Sequence, residues 1–276
     1  STRKESSAAS DVYKRQASMT LTRELKRRGV NVIARTAVDR VDTGANLGAT
    51  VHYRQGDSDE DRTAYGEVVL AAIGRVPNTD ADWFRSSGLK LDERGYVTVD
   101  GYGRTNLDGV WALGDITPGH ALAHRAFEQG ITIAEKIAGA DPKPVIDDTV
   151  PQVVFSFPEA ASVGLTLDQA KAREDVVEPK ETAYPMLSNA RMLMSGEGGS
   201  MTVVSGAFAN NPDMQVVLGV HIVSPIASDL IAEAEQLVGN RVPLADAARL
   251  IHPHPTFSET LGEALLKADG RPLHTR

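Results

Sequence analysis

Short apolar runs separated by glycine, proline and acidic turns characterise the chain from residue 17 onward. Leu21 and Leu25 are spaced by one helical turn and precede Arg28 and Gly29, which predicts a short basic helix ended by a glycine cap. Strands are expected at 30–33, 38–41 and 49–53, followed by an acidic turn at 56–61. The continuous apolar run 68–73 predicts a fully buried strand that stops in a glycine-proline loop.

The remainder of the chain divides at a second boundary, Ala-Asp-Pro-Lys-Pro at 140–144. Before it, strands are expected at 97–99 and 110–113 and a helix from about His120 to Ile137. After it, strands are expected at 153–157, 201–205 and 216–223, and helices at 166–173, 228–238, 244–251 and beyond Phe257. Strands and helices mixed without strict alternation predict an α+β domain.

Composition excludes several classes of protein. Of the 276 residues 41% are hydrophobic and 24% charged, which is typical of a soluble globular chain. The 29 basic and 37 acidic side chains give a net charge of -8, which argues against a nucleic-acid partner. The apolar runs are shorter than the roughly 18 residues that a membrane helix needs. The chain has no cysteine, so it holds neither a disulfide nor a thiolate metal site. No signal peptide is visible, and a cytoplasmic location is expected.

Residues 1–16 show neither helical nor strand periodicity and do not begin with Met. We expect them to be a disordered tail or a segment foreign to the gene, and the fold prediction therefore starts at Ala17.

Gly114 and Asp115 follow the predicted buried strand 110–113, at the strand end where open α/β sheets bind ligands. The glycine lets a ligand approach the backbone, and the carboxylate can accept hydrogen bonds from sugar hydroxyls. A helix predicted to open a few residues later would direct its positive end at the same place. Taken alone, Gly-Asp favours an ordinary strand-turn-helix in which Asp115 is a capping residue.

The longer run 114–130 changes this interpretation, because it resembles the second FAD-binding motif of the pyridine nucleotide-disulfide oxidoreductases. In that family the aspartate binds the flavin ribityl chain and the next helix points its N-terminus at the flavin pyrimidine ring. The resemblance implies that FAD is the cofactor and that Asp115, beside Gly114, is the ribityl ligand. The helix-start contacts that it implies are Ala121, Leu122, Ala123 and His124.

The run 68–78, Val-Val-Leu-Ala-Ala-Ile-Gly-Arg-Val-Pro-Asn, resembles the family's segment at the end of the NAD domain. There the glycine lies against the nicotinamide cofactor, which implies NAD as second cofactor and Gly74 as a contact. A strand followed by a Gly-Pro loop is common by itself. The choice between NAD and NADP is left open.

Two histidines among prolines, His252 and His254, precede a predicted helix that contains Glu259. A glutamate five residues after His254 can reach back to one ring nitrogen and raise the basicity of the other. Such a pair can take a proton from a dithiol and return it later. The residues alone are equally compatible with a structural histidine, and metal ligation by the two histidines is a third possibility.

The pattern His-x-His-Pro-Thr-x-x-Glu is most similar to the dihydrolipoamide dehydrogenases of this family. The resemblance implies that His254 is the base, that Glu259 orients it, and that His252 is structural. It also implies a homodimer, in which the pair acts on the partner subunit's flavin-disulfide site. Lipoyl-bearing subunits of a 2-oxoacid dehydrogenase complex are implied as further partners.

The resemblance extends from Ala17 to the C-terminus, about the second half of the family's chain. We expect residues 17–79 to be the last part of the NAD-binding domain, 80–149 the second segment of the FAD-binding domain, and 150–276 the dimerisation domain. The expected fold class is therefore incomplete NAD- and FAD-binding α/β segments followed by an α+β dimerisation (interface) domain.

The implied activity transfers electrons from a dithiol through a disulfide and FAD to NAD. Neither a Gly-x-Gly-x-x-Gly loop nor Cys-x-x-x-x-Cys occurs in this chain, and both lie upstream in the family. We therefore expect an enzyme fragment that is inactive alone. The alternatives are a related flavoprotein that reduces quinone, glutathione or another disulfide, and a non-catalytic dimerising remnant.

Overall fold

A computed structural model describes residues 11–44 and 48–275 of the chain, with only the backbone described for residues 11–17. The first ten residues of the expected tail lie outside this range. The chain divides into two compact units, Leu25–Val76 and Pro77–Arg276, and the N-terminal segment up to Glu24 belongs to the second. Within the described residues, no helix is both long and apolar enough to cross a membrane.

Helix α1, Asp11–Arg27, begins six residues before the predicted fold and ends near Gly29, whose φ of 83° is the left-handed conformation expected of a C-cap. The small unit then forms an antiparallel sheet of β1 (Thr36–Thr43), β2 (Ala49–Gln55) and β3 (Arg62–Gly66), in that order. Strands β1 and β2 contain the predicted strands 38–41 and 49–53, whereas β3 was not predicted.

Two strands predicted for the small unit are wrong. Residues 30–33 and 68–73 have no strand structure. The side chains of Val68, Leu70 and Ile73 are 83–87% exposed. The physical reason is pairing: a strand of this apolar kind is buried only between hydrogen-bonded neighbours. The three strands of this unit pair only with one another, so that no described strand is paired with residues 68–73.

The first part of the larger unit is mostly irregular. It contains the short helix α2 (Asp82–Ser86) and the long helix α3 (Ala123–Ile137). The predicted strands 97–99 and 110–113 are replaced by single bridges, Leu91–Val97 and Arg104–Trp111. Val110 and Leu113 are each 38% exposed, so the prediction of a buried strand here is wrong. Among the described residues, the segment pairs only with residues 103–105, through the bridge at Trp111 and the backbone hydrogen bonds beside it. A small core of Phe84, Val97 and Ala112 holds the region together.

The last part of the chain is an antiparallel five-stranded sheet with helices, which confirms the predicted α+β architecture. Its strands are β4 (Gln152–Val154), β5 (Glu159–Gly164), β6 (Val176–Pro185), β7 (Ser200–Phe208) and β8 (Asn211–Ser224), in the spatial order β4-β5-β8-β7-β6. Its helices are α4 (Leu167–Ala172), α5 (Ala190–Ser195), α6 (Ala227–Gly239), α7 (Leu244–Ala247) and α8 (Glu259–Ala268).

Sequence patterns predicted β7, β8, α4, α6 and the beginning of α8, but they missed β5, β6 and α5. Helix α7 ends at Ala247 rather than at the predicted residue 251. Strand β4 ends at Val154, so the predicted strand 153–157 is too long. The residues that follow α7 and β4 therefore lie in loops, and the loop between α7 and α8 contains the candidate site.

The centre of the sheet is strand β8, whose residues from Val216 to Ser224 are all buried. Helices α6 and α8 cover the sheet with side chains such as Ile231, Leu261 and Leu265. Strands β5 and β8 approach closely where Gly164 faces Gly219. A Cβ on either residue would collide with the neighbouring backbone, so both positions require glycine. Burial on both sides makes this sheet the rigid base on which the site is built.

Candidate functional site

The loop between α7 and α8 brings His254 and Glu259 together. Glu259 is the first residue of α8, and one of its carboxylate oxygens lies 2.8 Å from Nδ1 of His254. The other oxygen accepts a hydrogen bond of 2.7 Å from the backbone N–H of Thr256. The carboxylate is therefore held at the positive end of the helix by two donors.

The pKa of Glu259 reflects this position. Burial acts to raise the pKa, but the hydrogen bonds from Thr256 and His254, together with the charges of His254 and His252, outweigh it, so the pKa lies below its usual value. An ionised carboxylate can only accept hydrogen bonds, so Nδ1 of His254 carries a proton, and in the neutral ring Nε2 is then the nitrogen with the lone pair. The His254 side chain is 70% exposed, which leaves Nε2 accessible to a proton donor.

Two residues to which the sequence assigned no role support this loop from α5. Asn189 caps α5 by accepting from the N–H of Met192, and its Nδ2 donates to the carbonyl oxygen of Thr256 over 3.1 Å. The guanidinium of Arg191 lies 5.2 Å from the centre of the Phe257 ring. Nothing local in the sequence indicates that the partner of Asn189 lies 67 residues away.

His252 contacts a different carboxylate from His254. Its Nε2 lies 2.8 Å from Oε1 of Glu233 on α6, and its side chain is only 9% exposed. The two histidines therefore do not share a ligand position. Over the ranges that the structure describes, no group of three or more His, Asp or Glu side chains is arranged to hold a metal ion.

The Gly-Asp segment forms a tight 3₁₀ turn, Gly114–Ile116, in place of a strand end. Gly114 adopts a φ of 73°, which favours glycine, and its N–H donates to Oε1 of Gln129 over 2.9 Å. The hydroxyl of Thr117 donates to the Gly114 carbonyl oxygen over 2.8 Å. These bonds fix the turn and leave Asp115 exposed at its surface.

The helix predicted to start at Ala121–His124 starts at Ala123, with Leu122 as its N-cap and Ala121 outside it. Leu122 provides no side-chain capping hydrogen bond, and the first turn has no acidic residue. The first N–H groups of α3 thus form a positive helix end without a side-chain cap. His124 is directed elsewhere, since its Nε2 donates to the Pro151 carbonyl oxygen over 2.7 Å.

Gly74 belongs to the smaller unit, Leu25–Val76, and not to the unit that contains the other candidate residues. It follows the exposed apolar run and has a φ of 122°, a conformation that favours glycine. A Cβ at this position would meet open space. The requirement for glycine here comes from the backbone conformation alone.

Two family models match the chain. Pyridine nucleotide-disulphide oxidoreductase matches residues 5–130, and the dimerisation domain of the same family matches residues 150–265. The chain therefore belongs to the pyridine nucleotide-disulphide oxidoreductase family. This membership agrees with the resemblance seen in the sequence and confirms the expected fold class, in which nucleotide-binding segments precede an α+β dimerisation domain.

Individual relatives agree with this membership. The chain is 39% identical over 254 residues to a dihydrolipoyl dehydrogenase of Cupriavidus necator, and 37% identical over 268 residues to one of Geobacillus stearothermophilus. These alignments cover 91% and 95% of this chain but 51% and 54% of the relatives. A crystal structure of LpdA from Mycobacterium tuberculosis superposes with a TM-score of 0.79 at 30% identity, covering 91% of this chain and 52% of that one. The chain thus spans about half the length of the proteins it matches.

Proposed function

We propose that this chain is the C-terminal part of an FAD-dependent dihydrolipoamide dehydrogenase, which transfers electrons from a dithiol through a disulfide and FAD to NAD. The single observation that carries the proposal is the contact between Nδ1 of His254 and Glu259. The names of its relatives support the same activity. The chain has no cysteine, so the disulfide must be supplied by residues outside it.

In this proposal His254 is the proton-transfer residue. Glu259 holds the Nδ1 proton, so Nε2 is the atom that accepts a proton from a substrate thiol. The protonated ring is stabilised by the adjacent carboxylate, and it returns the proton when a thiol has to be re-formed. Asn189 and Thr256 keep the loop in place during both steps.

Gly114, Asp115 and the start of α3 are the proposed contacts of FAD. The uncapped helix end fits a group that becomes negative on reduction, and the exposed Asp115 carboxylate fits hydroxyl donors. The proposed helix-start contacts are Ala121, Leu122, Ala123 and His124, and Gly74 is proposed to contact NAD. When bound, FAD supplies the electron-accepting chemistry between the dithiol and NAD.

The proposed domain boundaries are 17–79 for the NAD-binding part, 80–149 for the FAD-binding part and 150–276 for dimerisation. A homodimer is supported by the match to a dimerisation domain. We propose that the His254–Glu259 pair of one subunit acts on the site of its partner, that lipoyl-bearing subunits of a 2-oxoacid dehydrogenase complex are further partners, and that the protein works in the cytoplasm.

The first experiment is to determine the native coding sequence upstream of Ala17. A Gly-rich dinucleotide loop and Cys-x-x-x-x-Cys are expected there. A loop without the cysteine pair would replace the proposal by a quinone-reducing flavoprotein. A start codon in place of both would leave a dimerising remnant.

The second experiment compares His254→Gln with His274→Gln in the extended enzyme, that is, the protein expressed from the native coding sequence with its upstream part included. His274 is a matched control, because its Nδ1 also lies 2.8 Å from a glutamate of α8, Glu263. We expect His254→Gln to lower the rate of dihydrolipoamide oxidation by roughly 10²–10⁴-fold, the usual contribution of a general base. His274→Gln should retain the rate. Equal effects of the two variants would contradict the role of His254.

A further inference from the structure

His252 is enclosed by three segments of the dimerisation domain. Its ring reaches Glu233 on α6, its backbone belongs to the loop that carries His254, and α8 packs against its other edge. The ring is nearly buried, whereas Glu233 is 37% exposed. Moving the loop would leave this buried polar ring without its charged partner, which costs free energy.

Gly262 makes room for this ring on α8. A Cβ at residue 262 would lie 2.6 Å from Nδ1 of His252, too close for any side chain. Glycine is a poor helix former, and here it occupies the interior of a ten-residue helix. The contact explains the choice of residue, because only glycine lets the His252 ring pack against the helix backbone.

Electrostatics favour the charged form of His252. Its hydrogen bond with Glu233 is the main cause that raises its pKa, and it outweighs burial, which acts in the opposite direction. A backbone hydrogen bond with Leu250 and the charge of Glu259 act in the same direction as Glu233. The charged groups that face the ring are thus Glu233 from α6 and Glu259 from α8.

The position of His252 determines where His254 can lie. Only Pro253 separates the two, and its ring restricts the backbone between them. The hydroxyl of Thr256 closes the bend by donating to the Pro253 carbonyl oxygen over 2.6 Å. A loop anchored at His252 therefore presents His254 and the Thr256 N–H together to Glu259.

We propose that Glu233 and His252 form a positioning pair that anchors the 251–258 loop between α6 and α8 and so orients His254 toward Glu259. The importance of this orientation for catalysis rests on the proposed function. The anchoring itself does not, because it concerns contacts within this chain.

The test uses the Thr256 amide, whose hydrogen bond to Glu259 exists only while the loop is in place. Amide hydrogen exchange would be measured by NMR on the full chain, for Glu233→Gln and for the matched control Glu235→Gln on the same helix. We expect Thr256 to exchange at least about tenfold faster in Glu233→Gln and within about twofold of the parent in Glu235→Gln. The amides of Val203 and Val220, paired in the central sheet, should be unchanged.

An unchanged Thr256 amide in Glu233→Gln would overturn the proposal. Faster exchange of Thr256, Val203 and Val220 by the same factor would overturn it too, because the pair would then support the domain as a whole. Should Glu233→Gln fail to fold, His252→Gln gives the answer in the same exchange measurement, because it removes the other member of the pair. An unchanged Thr256 amide in that variant would overturn the proposal.

In the extended enzyme, Glu233→Gln should also change the pH profile of dithiol oxidation, whereas Glu235→Gln should not. If His254 had no catalytic role, the exchange result would stand and only this profile would be unaffected. The two failures are therefore distinguishable. The double variant Glu233→Gln with His252→Gln should be no worse than either single change, because each single change already removes the ion pair between the two residues.

Discussion

The same tripeptide, Val-Val-Leu, occurs in both units of the molecule with opposite outcomes. At 68–70 its side chains are 86%, 41% and 87% exposed, and at 216–218 they are 0%, 1% and 4% exposed. The first copy has no strand structure, whereas the second is part of β8. An apolar run therefore records a requirement for burial, and whether the run is buried depends on the neighbours that the chain supplies.

Strand β8 has those neighbours. It pairs with β5 on one side and β7 on the other, and α6 packs on it. Residues 68–73 have no strand partner among the described parts of the chain. The contrast therefore separates an apolar strand that lies between two others from an apolar run whose residues are largely exposed.

The largest expected effect comes from placing a charge in each copy of the tripeptide. Val216→Asp puts an unpaired carboxylate into a closed core and should lower the free energy of unfolding by about 4 kcal/mol or more. Val68→Asp, the matched change, should alter it by less than about 0.5 kcal/mol. Urea denaturation followed by circular dichroism measures both. Comparable losses would mean that the two runs are not in different environments.

The next effect concerns His221, which lies in β8 five residues after Val216. Burial lowers its pKa to about 4, against the opposing hydrogen bond that Nε2 donates to the Leu165 carbonyl oxygen. The unfolded chain binds this proton near pH 6.5 and the folded chain does not. Stability is therefore full above pH 6.5 and falls as the pH decreases to about 4, by roughly 3 kcal/mol.

The contribution of His221 is measured by comparing urea midpoints at pH 7.5 and 4.5 in the parent chain and in His221→Gln. His221→Gln keeps a donor for Leu165 but does not titrate, so it should lose less stability on acidification than the parent chain. Parallel losses in the two proteins would assign the acid sensitivity to other groups.

The smallest effect concerns the start of α4. The Thr166 side chain accepts from the Gln169 N–H and the Gln169 side chain accepts from the Thr166 N–H, which is a complete capping box. Thr166→Ala should lower the free energy of unfolding by about 1 kcal/mol. Thr166→Ser keeps the capping hydroxyl and should retain most of this stabilisation. The start of α3 differs from that of α4, because it has no side-chain capping hydrogen bond. An equal loss in both Thr166 variants would show that the methyl group, not the hydroxyl, matters.

Local patterns in the sequence predicted α4, α6, β7 and β8 because helix and strand periods appear within a few residues. They also brought His254 and Glu259 into consideration, since five residues are enough for the two side chains to meet. Strand β6 was not predicted, because its exposed side chains and Pro179 interrupt the alternation of polar and apolar residues that indicates a strand. A strand was overpredicted at 110–113, because within the described chain these residues pair only through one bridge to Arg104 and two backbone hydrogen bonds beside it.

By itself, the amino-acid sequence determined the family resemblance, the α+β character of the last domain and the residues of the His-Glu pair, all of which depend on order and spacing along the chain. Tertiary structure alone decided which Val-Val-Leu run is buried, that Glu233 meets His252, and that Asn189 supports Thr256. These outcomes join residues far apart in sequence. Their free energy depends on burial and partners that only the folded chain brings together.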